Sequence, residues 1–232
     1  MSNIVTINNL TKKYGKKLIL DQLSFTLDTG KVIGLLGENG AGKTTLIKIL
    51  ANLCKADKGS VVINGKEVSS STHNEVSYLL DSNNLYPWMR VKHAIDYYED
   101  MFPDFNKEKS LAICGQLQIS TKEYISRLSK GNVEKVLLML AISRRVPLYL
   151  FDEPVAGLDP KVKKSIIQII LSNIDENSTV LISSHLLKDL EGIYDDILIL
   201  HKHKISSISA DYIRENYHKS VEDYYLEVTE HD

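Results

Sequence analysis

The chain has 232 residues, a formal net charge of −2, 43% hydrophobic and 25% charged residues. That length is enough for one large domain that buries a sizeable core without covalent staples. The near-neutral balance gives no support to a strongly basic, nucleic-acid-binding surface, and the apolar and charged fractions are ordinary for a globular protein.

In chain order, Ile4–Ile7 and Leu23–Leu27 tend to alternate and read as antiparallel strands. Val32–Leu36 is a continuous apolar run, followed by a Gly-rich turn and a helical pattern over Thr45–Leu50. Val61–Ile63 runs into Asn64-Gly65, the signature of a hairpin with a type I′ turn. Val76–Leu80 is a further strand. From about Pro87 to Ser126 the pattern turns helical, is interrupted by Pro103, and is rich in tyrosine. Val133, Val136, Leu137, Leu140 and Ala141 share one helix face. Leu148–Phe151 is a compact apolar strand closed by Asp152 and Glu153. Asp159-Pro160 supplies a capping side chain and a first-turn proline for the next helix, whose face is Val162, Ile166, Ile169, Ile170 and Ile174. Val180–Ser184 and Ile197–Leu200 are two more apolar strands. Continuous apolar strands between helices predict a parallel sheet covered on both faces. The predicted fold is α/β: a parallel-sheet core, an antiparallel β layer and an inserted helical subdomain. One domain is expected over 1–232, with the core at about 1–80 and 145–210, the helical subdomain at about 82–144 and a tail at about 211–232.

Gly37-Glu38-Asn39-Gly40-Ala41-Gly42-Lys43-Thr44 fits the phosphate-binding loop G-x-x-x-x-G-K-[ST], with a strand before it and a helix after it. Glycines let backbone N–H groups curl around phosphate oxygens, and the helix N-terminus adds partial positive charge. Lys43 neutralises the β- and γ-phosphates of ATP, and the Thr44 hydroxyl is a ligand for Mg²⁺. Asp152, delivered by a buried strand, is the expected partner of the metal, and Glu153 the general base for the attacking water. Such an acidic pair is common by itself; together with the phosphate loop it is specific, and it makes the predicted α/β core that of a phosphate-loop NTPase.

The order of motifs resembles the ATP-binding cassette (ABC) ATPase family over essentially the whole chain. Leu128-Ser129-Lys130-Gly131-Asn132 stands where that family has its LSGGQ signature, Gly157-Leu158-Asp159-Pro160 looks like its D-loop, and His185 stands at its switch histidine. Tyr14-Gly15 looks like the A-loop, whose aromatic stacks on adenine; Thr45 follows the phosphate loop as a further nucleotide contact. By this resemblance Ser129 and Gly131 contact the γ-phosphate held by an opposite subunit, and His185 contacts the γ-phosphate in its own. Each has a plainer reading: Ser129 and Asp159 as helix caps, His185 as a loop histidine. The resemblance implies a head-to-tail homodimer or heterodimer with a second ABC subunit, a separate transmembrane permease, and a place on the cytoplasmic face of the membrane. Met101–Phe105 and Ser220–Val228 resemble stretches of small bacterial export-type cassettes.

Departures from the family stand at Asp81, in place of a glutamine, and at Lys130 and Asn132 in the signature. Asp81 is expected at the metal edge of the site; the alternative is that it faces solvent and Asn83 or Asn84 fills that role through a shifted loop. Two other functions remain open at this level: a soluble ABC ATPase acting on nucleic acid or a ribosome, and a nucleotide-sensing subunit that scarcely hydrolyses. No nucleic-acid partner is expected, since neither a second cassette nor a long coiled-coil insertion occurs. Tyr86, Trp88 and Met89 read either as a docking surface for a permease or as subdomain core. His201 to Lys204 read as a solvated turn or a metal- or phospholipid-facing site. Cys54 and Cys114 read as reduced, partly buried thiols. Met1–Asn9 lacks the apolar stretch of a signal peptide, and the apolar run Val136–Ile142 is far shorter than the roughly 20 residues a bilayer needs.

Overall fold

The computed structural model describes residues 2–79, 85–155, 159–184 and 191–230. Strands β1 (Asn3–Tyr14) and β2 (Lys17–Asp28) form a long antiparallel hairpin. β3 (Val32–Leu36) leads through the Gly-rich turn into α1 (Lys43–Leu50). β4 (Lys58–Ile63) turns at Asn64 and Gly65, both at positive φ, into the short β5 (Lys66–Glu67), as a type I′ turn demands. β6 (Val76–Leu79) is followed by α2 (Val91–Met101), α3 (Lys107–Gln116) and α4 (Lys130–Ile142). β7 (Leu148–Asp152), α5 (Pro160–Asn173), β8 (Thr179–Ser183), β9 (Asp196–His201) and β10 (Lys204–Ser209) complete the α/β core. The short α6 (Ala210–Tyr212) and α7 (Val221–Glu230) follow.

Two sheets result. One is antiparallel, in the order β2-β1-β4-β5; the other runs β10-β9-β3-β8-β7-β6 and is parallel except for β10. The α/β reading with an antiparallel layer therefore holds. The inner strands β3, β7, β8 and β9 of the larger sheet are buried on both faces, which is why they are almost wholly apolar, whereas the edge strand β10 is polar and largely exposed. Alternate side chains serve two cores. Ile33, Leu35, Leu148, Leu150, Leu181 and Leu198 pack towards α1 and the antiparallel layer. Leu36, Tyr149, Phe151, Val180, Ile182 and Ile199 pack towards the helices α2 to α5.

Arg144, only 3% exposed, ties the helical region to the sheet edge. Its guanidinium donates to the Asp104 carboxylate at 3.0–3.2 Å, to Val76 O at 2.8 Å and to His73 O at 2.7 Å, and lies 4.0 Å from the Phe102 ring centroid. Such a planar fork suits several acceptors at once. Asp159 precedes Pro160 at the first position of α5, but its side chain makes no capping bond, contrary to expectation. Proline supplies the initiating φ there.

Candidate active site

The parallel topology sends the C-terminal ends of β3, β7 and β8 to one edge of the sheet, where open α/β sheets bind ligands. The turn after β3 needs its glycines. Gly37, Gly40 and Gly42 have φ of 159°, 84° and 115°. A side chain on Gly37 would meet Leu200 O at 2.6 Å, and one on Gly42 would meet Leu20 and Ile19 at 2.9–3.0 Å. The loop thus lies pressed between β9 and β2.

A cavity of about 220 Å³ opens over this loop, lined by Glu38, Asn39, Gly40, Gly42, Lys43, Thr44, Thr45, Asp152, Glu153 and Ile19. Lys43 is buried, and its ammonium donates to Gly37 O at 2.7 Å and Glu38 O at 3.2 Å. Glu153 Oε1 lies 4.0 Å from it. Burial pushes the Lys43 ammonium below the usual lysine range, while the Glu153 and Asp152 carboxylates pull it back up. The loop backbone closes on itself through Ala41 N–H to Glu38 O at 3.1 Å.

Thr44 Oγ1 donates to Asp152 Oδ2 at 2.6 Å. Two hard oxygen donors so close suit Mg²⁺, which binds through one or two carboxylates together with substrate phosphates and retained water. Among the described residues no group of three or more His, Cys, Asp or Glu could hold a metal ion. Glu153 leaves β7 in the left-handed region, φ 52°, and its N–H donates to Ser183 Oγ at 3.0 Å and Ser183 O at 3.2 Å.

The structure therefore brings Lys43, Thr44, Asp152 and Glu153 together. Tyr14 does not line the cavity. Its ring is half exposed with Lys12 Nζ 5.3 Å from the centroid, and its hydroxyl lies 3.7 Å from Cys54 Sγ. Ser129 caps α4, its hydroxyl accepting Asn132 N–H at 3.3 Å, and Gly131 lies in the first turn; neither lines the cavity. Asp81, His185, Gly157 and Leu158 lie outside the described residues. Ile19 and Ser183 were missed by the sequence reading. Ile19 carries no signal, but a serine pair ending an otherwise apolar strand is visible at Ser183-Ser184.

Away from the cavity, Tyr86 and Trp88 are 56% and 66% exposed and stack at 5.7 Å. Met89 is 7% exposed and belongs to the core, so its assignment to a docking surface is corrected: it packs inward while its neighbours face out. His203 Nδ1 is 3.0 Å from Ile19 O, which makes that turn a clamp on β2.

The ABC transporter family model matches residues 20–156 of the chain. An ABC transporter ATP-binding protein of Methanocaldococcus jannaschii is 34% identical over 205 residues, covering 86% of this chain and 75% of that protein. The lantibiotic transport ATP-binding protein SrtF of Streptococcus pyogenes is 29% identical, covering 87% of this chain and 89% of its own. A solved ATP-binding subunit of an ABC transporter superposes with a TM-score of 0.89 at 23% identity, covering 98% of this chain and 100% of that one, a likeness of fold. Sequence, fold and the phosphate-loop cavity agree: the chain belongs to the ABC transporter family, as an ATP-binding subunit with ATPase activity.

Proposed function

We propose that this subunit hydrolyses MgATP at the cavity between the phosphate loop and the acidic pair, and that it powers a separate membrane permease in export. The observation that carries the reading is the convergence of Lys43, Thr44, Asp152 and Glu153 in one 220 Å³ cavity. Lys43 and the loop backbone hold the phosphates. Thr44 and Asp152 would hold Mg²⁺, which would supply charge neutralisation at the phosphates. Glu153 takes the proton from the attacking water as general base. Tyr14 offers its ring to the adenine beside Thr45. On sequence alone, Asp81 acts at the metal edge and His185 at the γ-phosphate. Ser129 and Gly131, at the start of α4 and outside the lining of their own cavity, serve the ATP of an opposite subunit in a head-to-tail dimer.

A permease partner is supported by the exposed Tyr86–Trp88 stack. Its segment is tethered by Ile125 N–H to Met89 O at 2.9 Å and Ser126 N–H to Pro87 O at 3.1 Å, so it is presented on a braced ledge. The name of the lantibiotic transport relative supports a transport role, and no described helix is long and apolar enough to cross a membrane. Location at the cytoplasmic membrane face follows from the same partner. The test is Glu153→Gln, which keeps the shape of the side chain and removes the base. ATP binding is expected to persist, with hydrolysis reduced by about 10²–10⁴-fold. Hydrolysis at the wild-type rate would overturn the assignment.

A further inference from the structure

Ser183 closes β8 with a fully buried side chain, and it touches both members of the acidic pair. Its hydroxyl donates to Asp152 Oδ1 at 2.6 Å and accepts the backbone N–H of Glu153 at 3.0 Å. A hydroxyl has one proton to give and lone pairs to receive, so the two contacts coexist. Register places it there. β8 lies between β3 and β7, and Ser183 pairs with Leu35 on one side and Asp152 on the other. The neighbouring positions of β8 are Val180, Leu181 and Ile182. A similar apolar residue at 183 would leave Asp152 Oδ1 buried without this donor.

Two consequences follow for the site. Thr44 bonds Asp152 Oδ2, so with Oδ1 held by Ser183 the plane of the carboxylate is set from both sides. Glu153 sits at φ 52°, a conformation a non-glycine residue keeps only where its surroundings over-determine it. The Ser183 hydroxyl and carbonyl both accept its N–H, and its carboxylate then reaches to 4.0 Å from Lys43.

We propose that Ser183 is a positioning residue for both carboxylates: one hydroxyl orients the metal-facing Asp152 and braces the backbone of the base Glu153. The inference rests on the roles given to that pair above. It separates two properties of the site. Phosphate binding by Lys43 and the loop backbone involves no Ser183 contact, whereas Mg²⁺ use and turnover depend on the two carboxylates.

The test compares Ser183→Ala, Ser183→Val and Ser183→Thr in the full chain. Three quantities are read: binding of a fluorescent ATP analogue in chelator, Mg²⁺ titration of that binding, and the hydrolysis rate. For Ala and Val the expected result is a fall in kcat, and a rise in the Mg²⁺ midpoint, of about 10–100-fold, the usual effect of losing a group that orients a metal ligand. Mg²⁺-free affinity is expected to stay at the wild-type value. Thr matches Val in size but keeps the hydroxyl, and is expected to restore both kcat and the midpoint. Wild-type kcat and midpoint in Ser183→Ala overturn the proposal. So does an equal loss in Thr and Val, or a loss of Mg²⁺-free binding, since either marks a packing role. In the unaltered chain, hydrogen exchange at the Glu153 amide is expected to be strongly slowed; exchange at open-loop rates overturns the brace without any variant. Glu153→Gln run alongside separates the two levels. If it still hydrolyses, the acidic-pair reading itself fails; if it is dead while Ser183→Ala is active, only the Ser183 assignment falls.

Discussion

Lys43 keeps a charge at 6% exposure, held by two backbone carbonyls and facing two carboxylates. Burial lowers its pKa, so the free site holds its cation at a cost that a bound triphosphate offsets. Lys43→Ala is expected to weaken ATP binding by about 100-fold, within the range of about 2–5 kcal/mol for truncating one partner of a buried charge pair. Fluorescent-nucleotide titration checks this, and unchanged affinity would remove Lys43 from the site. Lys109, on α3, behaves differently. Burial pushes it down to about 8, Arg145 adds to the shift and Asp175 opposes it. Its folded pKa lies below the unfolded value of 10.5, so the unfolded chain binds more protons between about 8 and 10.5, and stability from this group rises with pH in that window. Lys109→Met is therefore expected to raise the melting temperature by a few degrees at neutral pH. The advantage should shrink towards about pH 10, as the wild-type lysine sheds its proton. An advantage that grows with pH would contradict the burial penalty.

At the scale of elements, the legible parts were those written in local pattern. Lys43, Thr44, Asp152 and Glu153 sit in short motifs at strand ends, and their meeting follows from parallel strands ending at one edge. Ser183 was not legible as a site residue, because its two contacts depend on the register of β8 against β7, which no local run encodes. The hairpin β1–β2 was read too short. Asn9 and Gln22 adopt positive φ and the pairing shifts register beside them, so the alternation that marks a strand is broken while the strands continue. Met89 was read together with Tyr86 and Trp88, yet within this four-residue turn Tyr86 and Trp88 are exposed while Met89 turns inward to the core. That division sharpens the element-level prediction. Trp88→Ala is expected to weaken permease co-purification by about 30-fold or more, as for an interface hot spot, while leaving the circular dichroism spectrum intact. Met89→Ala is expected to destabilise the fold by about 2–5 kcal/mol as a core truncation, measured by denaturant unfolding. A Trp88 variant that unfolds would mean that the ledge is held by its tip.

At the scale of the whole molecule, the expected working unit is larger than the chain. Ser129 and Gly131 stand apart from the cavity of their own subunit. A head-to-tail pair would lay the start of one α4 over the other subunit's phosphate loop. Glu153→Gln, expected to keep ATP bound without hydrolysis, should then shift size-exclusion elution to the dimer only when ATP is present. A variant that binds ATP and stays monomeric at high protein concentration would argue against that arrangement.

The strand order also sets a clock on the chain's synthesis. The phosphate loop is made early, but β3 is flanked by β8 and β9, and Gly37 lies against Leu200. Roughly 160 residues separate that glycine from its neighbour in sequence. At about 5–20 residues per second, roughly 10–30 s pass between the emergence of the loop and that of the strands that press it into shape. A nascent chain halted before β9 should carry the whole phosphate-loop motif and yet fail to retain nucleotide. Nucleotide competence is therefore expected to follow the emergence of β9, long after the motif itself is made.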